Sequence, residues 1–327
     1  MLTIGQECSA PTEIDAGQHV CALTFTANGK YLVSGHQEEV RVWRVNDGKQ
    51  VARMKTGHYV YSLAASKNGK WIVAGTKLEL LMWNAETYKE VIKYGEGGCV
   101  FGIDFSPDTT RLVAGTNKKT AIIWDLATGK QVQTLRHRDW VIAAKYSPWG
   151  DRIATATPTY DGHVRVWDSN DGCLLVDIKV KVTPLFNAGL LWSNDHLFVV
   201  SDKKIKELDA STGLKVLEWS VPGTDEYSHI VLPKRGRFVV CSAERSITFW
   251  DTLTHNQLPL TPQHPKDIRS IAFSPDDRIL AIGGGEKITL SPVSTVSCWV
   301  ISSLNNLLGP SICTGLGPSV SPTPYFP

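Results

Sequence analysis

Apolar and polar residues alternate along most of the chain in short segments separated by turn residues. One example is Val20-Cys21-Ala22-Leu23-Thr24-Phe25, and another is Ile268-Arg269-Ser270-Ile271-Ala272-Phe273. Alternation with a period of two is typical of β-strands with one buried face, and no 3.6-residue helical pattern lies between these segments. The pattern therefore predicts a protein built from short strands.

One position in this pattern recurs at a nearly constant interval and is either tryptophan or leucine. Successive occurrences are separated by 40, 41, 43, 41, 42 and 40 residues, a regularity that chance does not produce. These seven anchors are Trp43, Trp83, Trp124, Trp167, Leu208, Trp250 and Leu290. Self-similarity at such a period indicates a repeat architecture.

Turn clusters divide each repeat into four strand-like segments. Asn28-Gly29-Lys30 and Ser106-Pro107-Asp108 separate the first two segments, and Asp47-Gly48 and Thr128-Gly129 precede the fourth. Four strands repeated seven times predict an all-β fold, a seven-bladed β-propeller of four-stranded antiparallel blades. A single blade cannot bury both of its faces, whereas seven blades stacked in a ring bury nearly all of them.

Three anchors carry the dipeptide Trp-Asp, at Trp124-Asp125, Trp167-Asp168 and Trp250-Asp251, and Gly57-His58 opens a repeat. In these residues the chain resembles the WD40-repeat (WD-repeat) β-propeller family. The resemblance covers about residues 17–291. Members of this family share an architecture rather than a task, so the resemblance implies the fold and leaves the specific function open.

Repeats of that family often carry a His, a Ser or Thr, an Asp and a Trp that are hydrogen-bonded across one blade. The resemblance implies this structural tetrad in the fourth blade only, from His137, Thr155, Asp161 and Trp167. Leu208 and Leu290 replace the tryptophan in the fifth and seventh blades, so we expect those blades to depend more on apolar packing. Other residues stand in the place of the Asp elsewhere, namely Gln37, Lys77, Lys118 and Glu244.

The chain divides into three parts on this interpretation. Residues 1–16 form an N-terminal segment, residues 17–291 form seven repeats in one propeller, and residues 292–327 form a C-terminal tail. Because the family's N-terminal segment commonly supplies the outer strand of the last blade, Pro11–Ala16 is the favoured ring-closing strand, with Thr295–Ile301 as its rival. No charged residue occurs from Ile288 to Pro327, which favours a poorly ordered extension over a segment that binds a partner.

The net charge bears on the class of partner, and the cysteine spacing bears on the cellular compartment. The formal net charge is +2, which gives no chain-wide attraction to nucleic acid or to an anionic membrane. The seven cysteines are scattered without CxxC spacing, which favours reduced thiols. Since neither a secretory signal nor a membrane-length apolar run is visible, we expect a soluble, cytoplasmic protein, with the nucleus as the alternative.

Motifs for chemistry are absent from the sequence. It contains no GxxxxGK[ST] loop and no GxSxG elbow, and the histidines do not form HxH or HxxxH spacing with a carboxylate. The sequence therefore predicts no catalytic residue, no metal site and no cofactor. Basic clusters such as Arg136-His137-Arg138 lie in turns, where solvated charge is the ordinary explanation, so nucleic acid is the less favoured partner.

The expected binding site lies on one face of the ring. In this architecture the loops that enter the innermost strands gather around the central channel, and residues flanking the first apolar position of each strand project toward that face. Large aromatics and arginine are enriched in binding hot spots, although such aromatics also pack beneath loops as satellite core. The predicted partner-binding residues are Tyr59, Tyr61, Phe101, Trp140, Ile142, Phe186, Tyr227, Asp267 and Arg269.

These observations together predict a non-enzymatic scaffold that binds peptide or protein partners, with Asp267 or Arg269 selecting for charge. One alternative is the sensing domain of a larger multidomain receptor, and a less favoured one is a propeller enzyme. The identity of the partner is not encoded in any recognisable motif.

Overall fold

We describe the protein from a computed structural model. It describes residues 11–293, apart from 95–97, 159, 181, 183–188, 202–203, 222–228, 234–237, 253 and 259–263. Seven antiparallel sheets are arranged as a β-propeller, which confirms the predicted fold class. Six of the sheets have four strands and one has three within the described residues.

The strands follow one another blade by blade. The chain begins with β1 (Thr12–Asp15). Blade one contains β2 (Ala22–Phe25), β3 (Tyr31–Gly35), β4 (Glu39–Arg44) and β5 (Gln50–Lys55). Blade two contains β6 (Val60–Ala65), β7 (Trp71–Thr76), β8 (Leu80–Asn84) and β9 (Glu90–Tyr94). Blade three contains β10 (Val100–Phe105), β11 (Arg111–Thr116), β12 (Thr120–Asp125) and β13 (Gln131–Arg136).

The remaining blades repeat this order. Blade four contains β14 (Ala143–Tyr146), β15 (Arg152–Ala156), β16 (His163–Asp168) and β17 (Leu174–Lys179). Blade five contains β18 (Leu190–Ser193), β19 (His196–Ser201), β20 (Lys204–Asp209) and β21 (Lys215–Ser220). Blade six contains β22 (His229–Val231), β23 (Phe238–Ala243) and β24 (Ser246–Asp251). Blade seven contains β25 (Ile268–Phe273), β26 (Ile279–Gly284) and β27 (Lys287–Pro292).

The two middle strands of each blade form most of the core. In β7, for example, every residue from Ile72 to Thr76 is buried, because blades on both sides cover this strand. The outer strands are largely exposed, and in β5 only Met54 is buried. This gradient explains why the middle strands read as nearly continuous apolar runs whereas the outer strands do not.

A glycine at the end of the second strand allows adjacent blades to approach closely. A Cβ atom placed on Gly75 would lie 2.6 Å from the Val100 carbonyl oxygen, and one on Gly115 would lie 2.7 Å from the Val141 carbonyl oxygen. Both distances are shorter than real Cβ contacts, so the next blade's innermost strand packs directly on glycine backbone. The Ala-Gly pairs of the repeat are therefore a packing requirement between blades.

The N-terminal strand closes the ring. β1 pairs antiparallel with β27, from Thr12 opposite Leu290 to Asp15 opposite Lys287, and so takes the outer position of blade seven. The Lys287 Nζ atom lies 2.8 Å from Glu13 Oε2 across this pairing. The rival segment, residues 295–301, lies outside the described residues.

Blade six is described only in part, because residues 259–263, which follow β24, lie outside the described residues. Its sheet has three strands in the described part of the chain, and an isolated bridge between Trp250 and Gln257 marks the position where a fourth strand would pair. The anchor leucines of blades five and seven, in contrast, are well packed. Leu208 is 3% exposed and Leu290 is 4% exposed, each within an apolar cluster.

Candidate partner-binding face

The innermost strands all begin on one face of the ring, which we call the upper face. Here Tyr59, Cys99 and Trp140 immediately precede or flank the first buried valines, Val60, Val100 and Val141. Since side chains alternate along a strand, the residues on either side of each valine point away from the seam that it fills. This geometry collects residues of separate blades around the channel.

Four aromatic rings form a continuous row across blades two, three and four. The centroids of Tyr59 and Tyr61 are 5.0 Å apart, and Tyr61 meets Phe101 edge-on at 5.3 Å. Phe101 in turn lies 5.9 Å from Trp140. These separations fall within the range of favourable aromatic pairs, so the rings hold one another in position. We call Tyr59, Tyr61, Phe101 and Trp140 the aromatic row.

The two ends of the aromatic row are accessible and its middle is not. Trp140 is 46% exposed and Tyr59 is 39% exposed, whereas Tyr61 is half-buried. The structure corrects two expectations, because Phe101 is 2% exposed and Ile142 is 1% exposed. Both belong to an apolar core cluster with Val180 and Leu190. They support the face from beneath and are not available for direct contact.

Two cysteine thiols lie against the tyrosines of the aromatic row. Burial, followed by interaction with the Cys99 thiol, raises the pKa of Tyr61. Burial also raises the pKa of Cys21, although its hydrogen bond with Tyr59 opposes that effect. The raised pKa values keep the Cys21 thiol and the Tyr59 and Tyr61 phenols uncharged near neutral pH, so the row presents a neutral surface.

The charged residues predicted for this face are on blade seven. Asp267 forms an ion pair with Arg245, with Nε 3.1 Å from Oδ1, and both side chains are more than half exposed. Arg269 is half-buried, and its positive charge acts on Cys21, Tyr59 and His229. Arg269 therefore lies beside the channel mouth. Phe186 and Tyr227, the other two predicted contacts, lie outside the described residues.

A cavity of about 280 Å³ occupies the central channel below this face. Innermost strands of six blades contribute to its wall, and Cys21, Tyr61, His229 and Ser270 are among its lining residues. Burial and the nearby Arg269 charge lower the pKa of His229 to about 4, so its imidazole is neutral at physiological pH. The channel is thus lined mainly by uncharged groups.

The predicted tetrad of blade four forms only in part. Trp167 Nε1 donates to Thr155 Oγ1 at 2.8 Å, as the resemblance implies. Asp161, however, accepts from Arg165 Nη1 at 2.6 Å, and this guanidinium also lies 3.2 Å from His137 Nδ1. The buried His137 Nε2 atom has no hydrogen-bond partner. Arg165 therefore binds the aspartate that the tetrad would pair with His137, an arrangement that the sequence pattern did not predict.

Blade one forms a comparable chain that the sequence reading missed. Trp43 Nε1 donates to Ser34 Oγ at 2.7 Å, and Ser34 Oγ lies 2.8 Å from His36 Nε2. The other ring nitrogen of His36 lies 3.0 Å from the His19 carbonyl oxygen, which takes the place of an aspartate. The signal in the sequence was Ser34-Gly35-His36 at the end of the second strand, ahead of the anchor Trp43.

The described residues form neither a metal-binding cluster nor a membrane-spanning helix. Among these residues no group of three or more His, Cys, Asp and Glu side chains is placed to hold a metal ion. The same part of the chain contains no helix long and apolar enough to cross a membrane. The four described cysteines, Cys21, Cys99, Cys173 and Cys241, are free thiols.

Comparison with known proteins decides the family. The family described as "WD domain, G-beta repeat" matches residues 13–44, 48–84, 89–125, 129–168 and 256–290, more than half of the chain. The chain belongs to the WD40-repeat family. The matched segments leave out most of blades five and six, which are the blades with the weakest repeat pattern.

Solved structures support the same fold. A structure titled "Structure of U3-55K" superposes with a TM-score of 0.74 at 17% sequence identity, covering 84% of this chain and 95% of that one. No curated protein is similar enough in sequence to count as a match. At such low identity the likeness shows the WD40 propeller fold alone.

Proposed function

We propose that this WD40 propeller is a non-enzymatic scaffold that binds a peptide or protein segment on its upper face. The observation that carries the proposal is the aromatic row, whose exposed ends Tyr59 and Trp140 belong to different blades. Aromatic side chains bury a large area with few rotatable bonds and are enriched among hot spots of protein interfaces. WD40 propellers commonly mediate protein–protein interaction.

The electrostatics of the face favour a polypeptide over a nucleic acid. The aromatic row is neutral, and the nearby Arg245–Asp267 pair contributes no net charge. A phosphate backbone requires a line of positive groups, which these residues do not supply. An extended segment with an apolar anchor fits the row better, and Arg269 beside the channel favours an acidic group in that segment. The free thiols among the described cysteines support a cytoplasmic or nuclear location for this scaffold.

Replacement of the exposed tryptophan tests this proposal. We expect Trp140→Ala to weaken capture of the partner from native extract by about 30-fold, equivalent to about 2 kcal/mol for one hot spot. Tyr59→Ala should act in the same direction. Retention on immobilised protein, measured against protein concentration, gives the change in affinity.

Trp149→Ala is the matched control. Trp149 is 74% exposed and lies in the turn between β14 and β15 of the same blade, at the opposite end of the strand from Trp140. It should leave capture unchanged. Equal retention by the Trp140→Ala protein, once thermal melting shows that it is folded, would contradict a site on the upper face.

A further inference from the structure

Three exposed cations lie beside the Trp140 end of the aromatic row. Lys119 stands in the turn between β11 and β12, Arg136 ends the outer strand β13, and Arg138 lies in the linker into blade four. All three side chains are exposed, and none of them forms an ion pair with another described residue. We call Lys119, Arg136 and Arg138 the basic rim.

Backbone hydrogen bonds hold the turn of blade three against the linker into blade four. The His137 amide donates to the Lys119 carbonyl oxygen at 2.9 Å, and the Val141 amide donates to the Thr116 carbonyl oxygen at 2.9 Å. The linker leads inward from the outer strand β13 to the innermost strand β14. The basic rim therefore lies on the outer side of Trp140, next to the exposed end of the aromatic row.

The other titratable groups around the linker do not cancel this charge. Asp139 is the acidic residue of the linker, and its Oδ1 atom accepts from the Trp140 amide at 2.8 Å. Asp161 is bound by Arg165, which is itself nearly buried. Burial and the Arg165 charge lower the pKa of His137 to about 3, so its imidazole is neutral. The three cations of the basic rim thus outnumber the one carboxylate beside them.

The two ends of the aromatic row differ in charge on their outer side. Glu38 accepts backbone hydrogen bonds from the linker into blade two, as Lys119 does from the linker into blade four. Lys55 ends the outer strand of blade one, as Arg136 ends that of blade three. The exposed Glu38 therefore offsets Lys55, whereas Lys119 adds to Arg136. The outer side of the row is positive at Trp140 and balanced at the other end.

We propose that the basic rim binds aspartate or glutamate residues of the polypeptide on the upper face, next to the residue that contacts Trp140. Charge complementarity carries the inference, because guanidinium groups pair with carboxylates through two parallel hydrogen bonds. The inference rests on the proposed function for the presence of a polypeptide. It adds a direction, since the acidic residues lie outward of the residue on Trp140.

The charge difference along the row favours a polypeptide over RNA or DNA at this site. A nucleic acid carries a phosphate at every nucleotide and needs cations along its whole path. Such a ligand would meet Glu38 at one end of the row and the Asp267 carboxylate beyond it. A short acidic stretch needs cations at one end only, which is the arrangement of the basic rim.

Selection from random short peptides displayed on phage tests the preference with the full chain. We expect the enriched peptides to combine a large apolar residue with several acidic residues on one side of it. With Lys119→Gln/Arg136→Gln/Arg138→Gln the acidic residues should no longer be enriched, whereas the apolar residue should be. Enrichment without acidic residues, or the same acidic preference in the triple variant, would overturn the proposal.

Salt separates the electrostatic contact from the apolar one. At low ionic strength we expect an enriched peptide to bind the triple variant about tenfold more weakly, because exposed ion pairs contribute modestly. At about 1 M salt, where the Debye length is about 3 Å, the difference should shrink to about twofold. Trp140→Ala should weaken binding at both salt concentrations. Fluorescence anisotropy of the labelled peptide measures these affinities, and a tenfold difference that persists in salt would overturn the proposal.

A second triple variant controls for net charge. Lys30, Lys70 and Lys130 are exposed in turns on the opposite face of the ring, and Lys30→Gln/Lys70→Gln/Lys130→Gln removes the same charge. This variant should bind the peptide as the unaltered protein does. Thermal melting checks that both triple variants are folded. An equal loss of affinity in the control would assign the effect to net charge and overturn the proposal.

The remaining outcomes separate this inference from nucleic-acid binding and from the proposed function. A labelled single-stranded RNA that binds tighter than the peptide, and loses affinity in the triple variant of the basic rim, would overturn the proposal in favour of nucleic acid. Peptides that bind through Trp140 without acidic preference would leave the proposed function standing and this inference wrong. Acidic peptides that depend on the basic rim but not on Trp140 would support the basic rim and contradict the aromatic row.

Discussion

Blades one and four meet the same structural need with different residues. Each has a buried tryptophan whose indole donates to a hydroxyl on the second strand, Ser34 in blade one and Thr155 in blade four. In blade one His36 bonds to this hydroxyl, whereas in blade four His137 bonds to Arg165 instead. The blade that matches the family pattern best thus has the less complete network. The indole–hydroxyl bond is shared, and the rest depends on local competition for partners.

The arginines of the two blades explain the difference. Arg41 and Arg165 occupy equivalent positions on the third strand, and both side chains are nearly buried. Arg41 is held by Glu39 and by the Ala16 carbonyl oxygen, which leaves His36 available to Ser34. Arg165 has no glutamate beside it and forms ion pairs with Asp161 and Asp177 instead. Burial disfavours the Asp161 carboxylate, but the bound guanidinium holds the pKa of Asp161 below its usual range.

Removal of these arginines should give the largest difference in the free energy of unfolding between the two blades. We expect Arg165→Met to lower the free energy of unfolding by about 3 kcal/mol, because it leaves the buried Asp161 carboxylate without its counter-charge. Arg41→Met should cost about 1 kcal/mol, since Glu39 keeps its ion pair with Arg53. Denaturant midpoints at pH 7 measure both changes. Equal losses would contradict the inference that Asp161 depends on Arg165 more than Glu39 depends on Arg41.

Loss of the shared hydroxyl should have an intermediate effect that differs between the blades. Ser34→Ala leaves both Trp43 Nε1 and His36 Nε2 buried without a partner, so we expect it to cost about 2 kcal/mol or more. Thr155→Ala strands only Trp167 Nε1 and should cost about 1 kcal/mol less than Ser34→Ala. Thermal and denaturant unfolding of the two variants gives the difference. A larger loss for Thr155→Ala would show that His137 does contribute to the network.

The two histidines should produce a smaller, pH-dependent effect. Burial and the Arg41 charge lower the pKa of His36 to about 4, and burial with the Arg165 charge lowers that of His137 to about 3. An unfolded histidine titrates near 6.5. Below that pH these histidines bind protons in the unfolded chain but stay neutral in the folded protein. The stability present above about pH 6.5 is therefore lost as the pH falls toward 4 for His36 and toward 3 for His137.

Glutamine at each position tests this assignment. His36→Gln and His137→Gln should each flatten the decline of the unfolding midpoint between pH 6.5 and 4, and at pH 7 His137→Gln should be the milder change because its Nε2 atom is unpaired. A profile that keeps its full slope in both variants would assign the decline to other groups. Buffers matched in ionic strength keep the surface ion pairs constant during the comparison.

The repeat pattern allowed most of the architecture to be predicted. The anchor spacing predicted seven blades, and the turn residues predicted their division into strands, because both features depend on residues close together in the sequence. Trp140 and Tyr59 were also predicted from their position beside the first buried valine, and both are exposed on the upper face.

The burial of individual side chains on the upper face could not be predicted from the repeat pattern. Tyr61 and Phe101 both follow the first buried valine of their blades, yet Tyr61 is half-buried and Phe101 is fully covered. Alternation along a strand indicates the side to which a residue points, but the neighbouring blade decides whether that side is covered.

The sequence by itself determined the local order of this protein: strand, tight turn, strand, with a period that suits a ring of seven blades. Only the tertiary structure decided which side chains meet. The aromatic row joins residues of three blades, the ring closure joins β1 to β27, and the Arg165 side chain binds the Asp161 carboxylate of the predicted tetrad. Turn and strand preferences act over a few residues, whereas these contacts depend on side-chain reach and burial between segments that are distant in the chain.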